Sequence, residues 1–241
     1  MITKSGLIIN YTNEYKMIII TGSSKGIGKY LFEKYKEKGC EVLGTYNTTV
    51  VKNDKQVYKV DITSYSEVFF WIIGIKPLLN QITLINCAGI NYNSFAHKLE
   101  IYEWEKVIKV NLLGTFAVIN FLLPIMREQN YGRIINFSSV TAQIPTPGVS
   151  AYAASKAGLW GMTKSLVAEN ASKGITINNI NLGYSNIGMG LELNPEFSEA
   201  VKSALPLNQF CPPEDIFNTV EYIINTPYLN GASIDLNGGL I

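Results

Sequence analysis

The chain has 241 residues, which is enough for one α/β domain with a sizeable core. Apolar residues make up 47% and charged residues 16%, which excludes a disordered chain, and the net charge of +1 provides no electrostatic footprint for nucleic acid or an anionic membrane. The three cysteines have no metal-ligand spacing, so we expect reduced thiols and no metal. No apolar run approaches the roughly 18 residues of a membrane span, and no signal peptide is evident, so we expect a soluble cytoplasmic protein.

Short apolar runs alternate with longer amphipathic segments from Met17 onward. This pattern predicts strands at Met17–Thr21, Glu41–Thr45, Gln56–Val60, Thr83–Asn86, Arg133–Phe137, Thr176–Asn181 and Ser233–Leu236. It predicts helices at Ile27–Lys38, Tyr102–Met126, Tyr152–Ala171 and Pro213–Ile224. Alternating strands and helices predict an α/β fold in which a parallel sheet is covered by helices on both faces.

Two segments are expected to depart from this regular alternation. Residues 1–16 precede the first core strand and form either a tail or an added edge hairpin upstream of a single domain at 17–241. The segment Asn47–Lys55 is shorter than the dozen or so residues that a helical crossover needs. We therefore expect the helix between strands 2 and 3 to be shortened or missing.

A glycine-rich loop follows the first predicted strand and opens the first predicted helix. In this context, glycines permit a tight turn, and amides at the start of the helix can meet the pyrophosphate of a dinucleotide. A purely structural turn is the alternative. The residues predicted to bind the cofactor in this loop are Gly22, Ser23, Ser24, Lys25, Gly26, Ile27 and Gly28.

Tyr152 and Lys156 are spaced so that one face of a helix holds both side chains. A free tyrosine has a pKa of about 10, and a cation fixed beside it favours the phenolate and brings the group towards working pH. The spacing alone also fits two solvent-facing residues. The pair is therefore a candidate acid–base centre whose meaning depends on the other motifs.

The motifs together resemble the short-chain dehydrogenase/reductase family. The resemblance rests on the glycine loop, the Asn86-Cys87-Ala88-Gly89 segment, Asn111, Ser139 and the pair Tyr152 and Lys156, which occur in the family's order. It implies a single-domain Rossmann-type, doubly wound parallel sheet of about seven strands. Within the family, Gly132-Arg133-Ile134-Ile135, Lys173-Gly174-Ile175-Thr176 and Asn237-Gly238-Gly239 are most similar to 3-oxoacyl-[acyl-carrier-protein] reductases.

The resemblance also implies a role for each catalytic residue. Ser139, with its neighbour Ser138 as the alternative, would donate a hydrogen bond to the substrate carbonyl, and Tyr152 would donate the proton during reduction. Lys156 would lower the pKa of Tyr152 and hold the nicotinamide ribose. Asn111 would bind a water that links Lys156 to solvent, unless it merely satisfies helix backbone. The single histidine, His97, is interpreted as a substrate-loop or surface residue.

Further cofactor contacts are expected along the carboxyl ends of the strands. Asp61 and Ile62 would contact adenine, unless they form an ordinary turn, and Asn86, Ala88 and Gly89 would line the cofactor through their backbone. Strand 2 ends in Gly44-Thr45-Tyr46-Asn47 without a carboxylate, and Lys25 stands in the glycine loop. An acidic residue at that strand end would favour NAD(H), and because none is present the sequence favours NADP(H). Asn47 is predicted to contact the cofactor at this strand end.

The nicotinamide wall departs from the family pattern. Leu182-Gly183-Tyr184-Ser185-Asn186-Ile187 lacks the usual proline and threonine, so Ser185 or Asn186 would have to meet the carboxamide. Substrate contacts are expected from Ile90–Leu99, Ala142–Val149 and a lid at about 184–204. The polar residues in these segments leave a sugar or other polar ketone open as an alternative to a 3-oxoacyl substrate.

Partner expectations follow from the same resemblance. Lys173 matches one basic position that docks an acidic carrier protein, whereas Asn130 and Tyr131 stand at the other, so the substrate is either a small molecule or carrier-bound. Pairing of the helices at Tyr102–Met126 and Tyr152–Ala171 would give a homo-oligomer, either a dimer or a tetramer. The apolar contacts of this interface would come from Leu159, Trp160, Met162 and Leu166, unless these residues pack on the chain's own sheet. A catalytically silent dinucleotide-binding or scaffold protein is the alternative of a different class.

Overall fold

Seven parallel strands form one sheet in the computed structural model, which describes residues 16–49, 51, 54–189 and 194–241. The strand order is β3-β2-β1-β4-β5-β6-β7, so the chain reverses direction across the sheet between β1 and β4. Ligands of doubly wound folds bind outside the carboxyl ends of the strands at that point. The strands are β1 Ile18–Thr21, β2 Val42–Tyr46, β3 Val57–Lys59, β4 Thr83–Asn86, β5 Gly132–Ser139, β6 Ile175–Leu182 and β7 Ser233–Leu236. The Rossmann-type fold class is confirmed.

Helices cover both faces of the sheet. They are α1 Gly26–Glu37, α2 Tyr65–Ile75, α3 Ile101–Ile108, α4 Thr115–Gln129, α5 Ser150–Asn170, α6 Pro195–Ala204 and α7 Pro213–Asn225. The sequence pattern did not identify α2 or α6. In α2, Phe70 is 70% exposed and Trp71 only 7%, so apolar residues occupy both faces and hide the helical period. Helix α6 lies inside the segment that we expected to be an irregular lid.

Two apolar cores lie on opposite faces of the sheet. Ile19, Leu84 and Ile134 point to the core beneath α2, α4 and α5, whereas their neighbours Ile20 and Ile85 point to the core beneath α1 and α7. Successive side chains alternate between faces along a strand, so a strand buried on both faces can be apolar at consecutive positions. This double burial explains the continuous apolar run Ile18–Ile20 of β1.

The connection between β2 and β3 carries no helix in the residues described there, as expected from its length. The two strands pair directly, with Gly44 opposite Val57. Residues 50, 52 and 53 of this connection lie outside the described residues. So do residues 1–15 of the predicted N-terminal extension and 190–193 of the predicted lid.

Helices α3 and α4 run into each other through a π-helical turn at Lys109–Gly114. By length and composition alone, the helix Ile101–Gln129 is apolar enough to cross a membrane, so the expectation that no such run exists was wrong. Its inner face packs in the core through Val118, Ile119 and Leu122. Core helices of globular proteins commonly have this composition because one face is buried.

The apolar residues that we assigned to an oligomer interface pack mostly within the chain. Leu159 is 1% and Leu166 6% exposed, and Met162 packs against the same core. Exposed apolar side chains lie instead on the α3–α4 helix, at Ile101, Tyr102, Leu113 and Phe116. Leu159, Met162 and Leu166 therefore contribute to the chain's own core.

Candidate active site

Ser139, Tyr152, Lys156 and Asn111 come together beside the carboxyl ends of β4 and β5. Ser139 is the last residue of β5, Tyr152 and Lys156 lie in the first two turns of α5, and Asn111 projects from the π-helical turn. Ser139 is 7% exposed, Lys156 6% and Asn111 1%. The sequence motifs thus supply polar side chains to one water-poor site.

The Ser139 hydroxyl is oriented by Thr141. Its oxygen accepts hydrogen bonds from the Thr141 backbone N–H at 3.2 Å and from the Thr141 hydroxyl at 3.1 Å. A hydroxyl has two acceptor lone pairs and one proton. Because Thr141 occupies both lone pairs, the Ser139 proton is directed away from them, as a donor to the Tyr152 phenol or to a substrate oxygen.

Burial dominates the acidity of Tyr152. It raises the pKa of the phenol to about 12, and a hydrogen bond from Ser139 acts in the opposite direction. The expectation that Lys156 would bring this pKa towards neutrality neglected the cost of removing a phenolate from water. A raised pKa favours the protonated phenol at neutral pH, which is the form that can donate a proton.

Lys156 is held by the strand rather than by the phenol. Its Nζ donates to the Phe137 carbonyl oxygen at 2.6 Å and lies 5.4 Å from the centre of the Tyr152 ring. Burial lowers the pKa of Lys156 to about 8, and the thiol of Cys87 opposes this shift. The ammonium is thus a buried cation that can lose its proton just above neutrality.

Asn111 clamps the loop that follows β4. Its Oδ1 accepts from the Ile90 N–H at 2.9 Å, and its Nδ2 donates to the Ile90 carbonyl at 2.9 Å and to the Ser155 hydroxyl at 3.1 Å. These three bonds use both amide protons and leave one acceptor lone pair. The side chain therefore joins the β4 loop to α5 and has little capacity left for the predicted water.

The glycine loop lies against the loop after β4. A Cβ on Gly28 would come within 2.9 Å of the Gly22 carbonyl carbon, and one on Gly22 would come within 2.8 Å of the Ala88 Cα. Gly22 and Gly26 also adopt φ of +69° and +56°, which disfavour other residues. These glycines leave the amides of the first α1 turn available to an anion, which fits a dinucleotide pyrophosphate.

Ser23 and Ser24 differ in what they can offer a cofactor. Ser23 is 3% exposed, and its hydroxyl and backbone N–H both donate to the Thr45 carbonyl, at 3.3 and 2.8 Å. Its hydroxyl is therefore used within the protein. Both serines line a cavity of about 220 Å³ beside α1, together with Lys29, Glu33 and Asp54.

The remaining predicted cofactor residues lie along the same rim but use much of their polarity internally. The Asp61 carboxylate accepts hydrogen bonds from the Thr63 N–H at 2.9 Å and from the Thr63 hydroxyl at 2.8 Å. These bonds fit the alternative in which Asp61 forms an ordinary turn. Ile62 is buried against Gly114, so only its backbone remains available. Asn47 is exposed just after β2.

One buried polar atom at the end of β4 is unsatisfied. Ala88 N–H donates to the Thr21 hydroxyl at 3.2 Å, and the amide of Asn86, the last residue of β4, donates to Asn136 while its buried Oδ1 has no hydrogen-bond partner. A Cβ on Gly89 would lie 3.4 Å from Asn111 Oδ1 and 3.7 Å from Lys156 Nζ. Gly89 thus provides the opening through which a ligand can approach these two polar groups.

The nicotinamide wall is tied to a neighbouring segment despite its missing proline. Ser185 forms a β-bridge with Cys211, and the Tyr184 ring stacks on Phe210 with a centroid distance of 5.8 Å. Ser185 is 5% exposed, and its hydroxyl donates to the Ile187 carbonyl at 3.0 Å. Ser185 can therefore accept a hydrogen bond from a carboxamide but cannot also donate one.

A larger cavity, of about 460 Å³, lies at the opposite end of the sheet. Met17, Leu43 and Tyr58 line it, at the amino-terminal side of β1, β2 and β3. It is therefore remote from the carboxyl-end site. His97 is exposed and stacks on Phe95, in keeping with its interpretation as a loop or surface residue.

Sequence reasoning missed several residues that organise this site. Thr141, the Phe137 carbonyl and the π-helical turn carry no recognisable motif, because their contribution depends on the tertiary arrangement. Gly44 was read only as part of a strand end without a carboxylate. A glycine inside a strand often indicates that another segment of backbone packs closely against it, so Gly44 could have been recognised.

Comparisons with known proteins agree with this geometry. A family model described as short chain dehydrogenase matches residues 16–196. Acetoacetyl-CoA reductase of Allochromatium vinosum is 31% identical over 241 residues, covering 93% of this chain and 98% of its own. The 3-oxoacyl-[acyl-carrier-protein] reductase FabG of Aquifex aeolicus is 31% identical over 246 residues, with 93% and 97% covered.

A solved structure gives the same result at the level of the fold. An Agrobacterium tumefaciens protein, provisionally assigned as a gluconate dehydrogenase, superposes with a TM-score of 0.86 at 29% identity, covering 93% of this chain and 95% of its own. The resemblance inferred from the motifs, including that to 3-oxoacyl-[acyl-carrier-protein] reductases, is confirmed. The chain belongs to the short-chain dehydrogenase/reductase family of oxidoreductases.

Proposed function

We propose that the protein is an NADP(H)-dependent reductase that transfers hydride between nicotinamide and a carbonyl or secondary alcohol, with a 3-oxoacyl thioester as its substrate. The observation that carries this proposal is the Ser139 hydroxyl, directed by Thr141 to donate, next to a protonated Tyr152. A carbonyl oxygen between these two donors would be polarised and then protonated. The relatives named as acetoacetyl-CoA and 3-oxoacyl reductases support the thioester substrate.

Each protein group has a defined task in reduction. Bound nicotinamide supplies the hydride. Ser139 donates to the substrate oxygen as negative charge develops there, and Tyr152 delivers its proton to the same oxygen. Lys156 then stabilises the tyrosinate left behind, because a cation near a phenolate in a water-poor site interacts strongly with it. Asn111 holds the loop around Ile90 against α5 throughout these reaction steps.

The preference for NADP(H) rests on charge near the glycine loop. Lys25 and Lys29 are both exposed at the start of α1, and β2 ends without a carboxylate. Asp54 does line the neighbouring cavity, but it accepts from Lys36 at 2.7 Å, and this bond lowers the pKa of Asp54. The Glu33 carboxylate also lines this cavity, so the preference for a 2′-phosphate rests on the two lysines and on the missing carboxylate at the end of β2.

A polar ketone such as a sugar is the second candidate substrate. Asn91 and Asn93 bond each other at 2.7 Å in the segment after β4, close in sequence to the clamped Ile90. These amides would satisfy substrate hydroxyls more readily than an acyl chain. The carrier-bound form of the first candidate has weaker support, because only Lys173 of the two expected docking positions is basic.

We also propose a cytoplasmic homo-oligomer, a dimer or tetramer. The exposed apolar side chains of α3 and α4, including Leu113 at 42% and Phe116 at 41%, support self-association, since such residues are usually covered in obligate assemblies. Sedimentation at micromolar concentration measures this directly, and a monomer at all concentrations would contradict it.

The central experiment measures oxidation of NADPH and of NADH with three substrate classes: acetoacetyl-CoA, keto sugars and small ketones. We expect turnover with acetoacetyl-CoA and NADPH, and a several-fold lower kcat/KM with NADH. Turnover confined to keto sugars would select the second candidate. Tight binding of NADPH without turnover on any substrate would instead support a catalytically silent dinucleotide-binding protein.

A further inference from the structure

A hydrogen-bonded chain links α5 to the strand that carries Ser139. Trp160 lies one helical turn after Lys156, and its indole N–H donates to the Ser138 hydroxyl at 3.0 Å and to Asn181 Oδ1 at 2.9 Å. The Ser138 hydroxyl in turn donates to the Lys156 backbone carbonyl at 3.0 Å. The proposed reaction makes no direct use of Trp160, Ser138 or Asn181.

The direction of this chain is fixed by the chemistry of its ends. An indole N–H can only donate and a carbonyl can only accept, so the intervening Ser138 hydroxyl has one possible orientation. Ser138 is 3% exposed, and in such surroundings successive hydrogen bonds polarise each other. Asn181 extends the support, because its Nδ2 donates to Asp235 on β7 at 2.8 Å.

Lys156 is consequently attached to β5 at two points. Its backbone carbonyl is bound by Ser138, and its Nζ is bound by the Phe137 carbonyl at 2.6 Å. Phe137 and Ser138 directly precede Ser139 in the chain. The two attachments therefore set how far the helical turn that bears Lys156 lies from Ser139.

We propose that Trp160, acting through Ser138, is a positioning residue that holds the Lys156 turn of α5 against β5 and so sets the relative placement of Ser139, Tyr152 and Lys156. Its catalytic consequence rests on the proposed function, but the placement itself does not. Loss of the indole donor leaves the Ser138 hydroxyl held only by its bond to the Lys156 carbonyl and leaves Asn181 Oδ1 unpaired. Both changes loosen the turn and admit water to the Lys156 ammonium.

The chain offers a matched control for removal of an indole N–H. Trp71 is 7% exposed, yet its Nε1 has no hydrogen-bond partner. Trp160→Phe and Trp71→Phe therefore delete the same atoms, but only the first deletion breaks a hydrogen bond. A second variant, Ser138→Ala, breaks the same chain from its middle without changing an aromatic ring.

The first measurement needs no turnover. In protein labelled with ¹³C at lysine Cε, the Lys156 signal, assigned with Lys156→Arg, is titrated with pH. Burial depresses this pKa, and the titratable groups facing the ammonium are the Cys87 thiol, directly after β4, and the Tyr152 phenol. We expect Trp160→Phe and Ser138→Ala each to raise the pKa by about one unit as water enters, and Trp71→Phe to leave it unchanged.

The second measurement uses NADPH and acetoacetyl-CoA. We expect kcat to fall about tenfold in Trp160→Phe and in Ser138→Ala, while KM for acetoacetyl-CoA changes less than about twofold, because misplaced groups impair the chemical step. The double variant should lose no more than either single variant. An unchanged Lys156 titration in both single variants would overturn the positioning role. Failure of the wild-type protein to oxidise NADPH with any substrate would instead overturn the proposed function, and the titration would still decide the placement.

Discussion

Replacement of Gly44 by alanine tests how closely the glycine loop packs on the sheet. Gly44 lies in β2 directly beneath Ser23, and a Cβ there would lie 2.8 Å from the Ser23 Cβ and 3.1 Å from Phe32 Cε2. Carbon atoms in contact are normally about 3.5–4.0 Å apart. The substitution must therefore push the loop away from β2 or distort the strand.

The expected loss of stability can be estimated from three contributions. Overpacking of this kind costs about 1–3 kcal/mol. Displacement of Ser23 also removes its hydroxyl bond to Thr45, which costs about 1 kcal/mol. Alanine also restricts the unfolded chain more than glycine does, and this effect raises the free energy of unfolding by about 0.5–1 kcal/mol. We therefore expect the free energy of unfolding to fall by about 1–3.5 kcal/mol.

Urea unfolding at pH 7, combined with NADPH binding by fluorescence, checks this estimate. Gly74→Ala is the control, because nothing lies within 4 Å of its Cβ position in α2, and it should stabilise the protein by about 0.5–1 kcal/mol. Ser23→Gly removes the obstructing side chain, so the double variant Ser23→Gly with Gly44→Ala should regain part of the stability that Gly44→Ala loses. A Gly44→Ala protein as stable as the wild type, with unchanged NADPH binding, would refute the packing argument.

Three further outcomes are expected. Tyr152→Phe should lower kcat by about 10²–10⁴-fold while NADPH binding by fluorescence is retained, and a loss of less than tenfold would remove Tyr152 as the proton donor. Lys156 binds its proton less tightly in the folded protein than in the unfolded chain, so the unfolded chain takes up more protons between pH 8 and 10.5. The free energy of unfolding of the wild type should therefore rise by about 3 kcal/mol over this range relative to that of Lys156→Met. Parallel curves of this free energy against pH for the two proteins would contradict the depressed pKa. Lys25→Glu should raise the Kd of NADPH about tenfold and that of NADH less than twofold, and equal effects on the two cofactors would argue against a 2′-phosphate contact.

Strands that are buried on both faces were the most predictable part of the fold. Ile18, Ile19 and Ile20 form a continuous apolar run that only a central parallel strand explains, and the seven strands lie within two residues of their predicted ends. Helix α2 escaped prediction because Phe69, Phe70 and Ile73 are exposed on the face opposite its buried residues. Periodicity identifies a helix only when its outer face is polar.

The clustering of the predicted catalytic side chains in space followed from their motifs, whereas the electrostatics of the cluster did not. Spacing brought Tyr152 and Lys156 to one face of α5, yet it could not weigh burial of the phenol against the nearby ammonium. That balance depends on the solvent exclusion created by distant segments and on the competing carbonyl of Phe137. The side-chain bonds of Asn111 likewise depend on the loop at Ile90, whose position only the fold determines.

The two outer strands of the sheet have a consequence for how the protein behaves at high concentration. β3 contains only three residues and β7 only four, and each exposes a charged side chain, Lys59 on β3 and Asp235 on β7. A short strand offers few unpaired backbone groups, and a charge that must be desolvated opposes the addition of another strand. Growth of the sheet into fibres from either edge is thereby disfavoured, although β1 in its interior carries the continuous apolar run Ile18–Ile20.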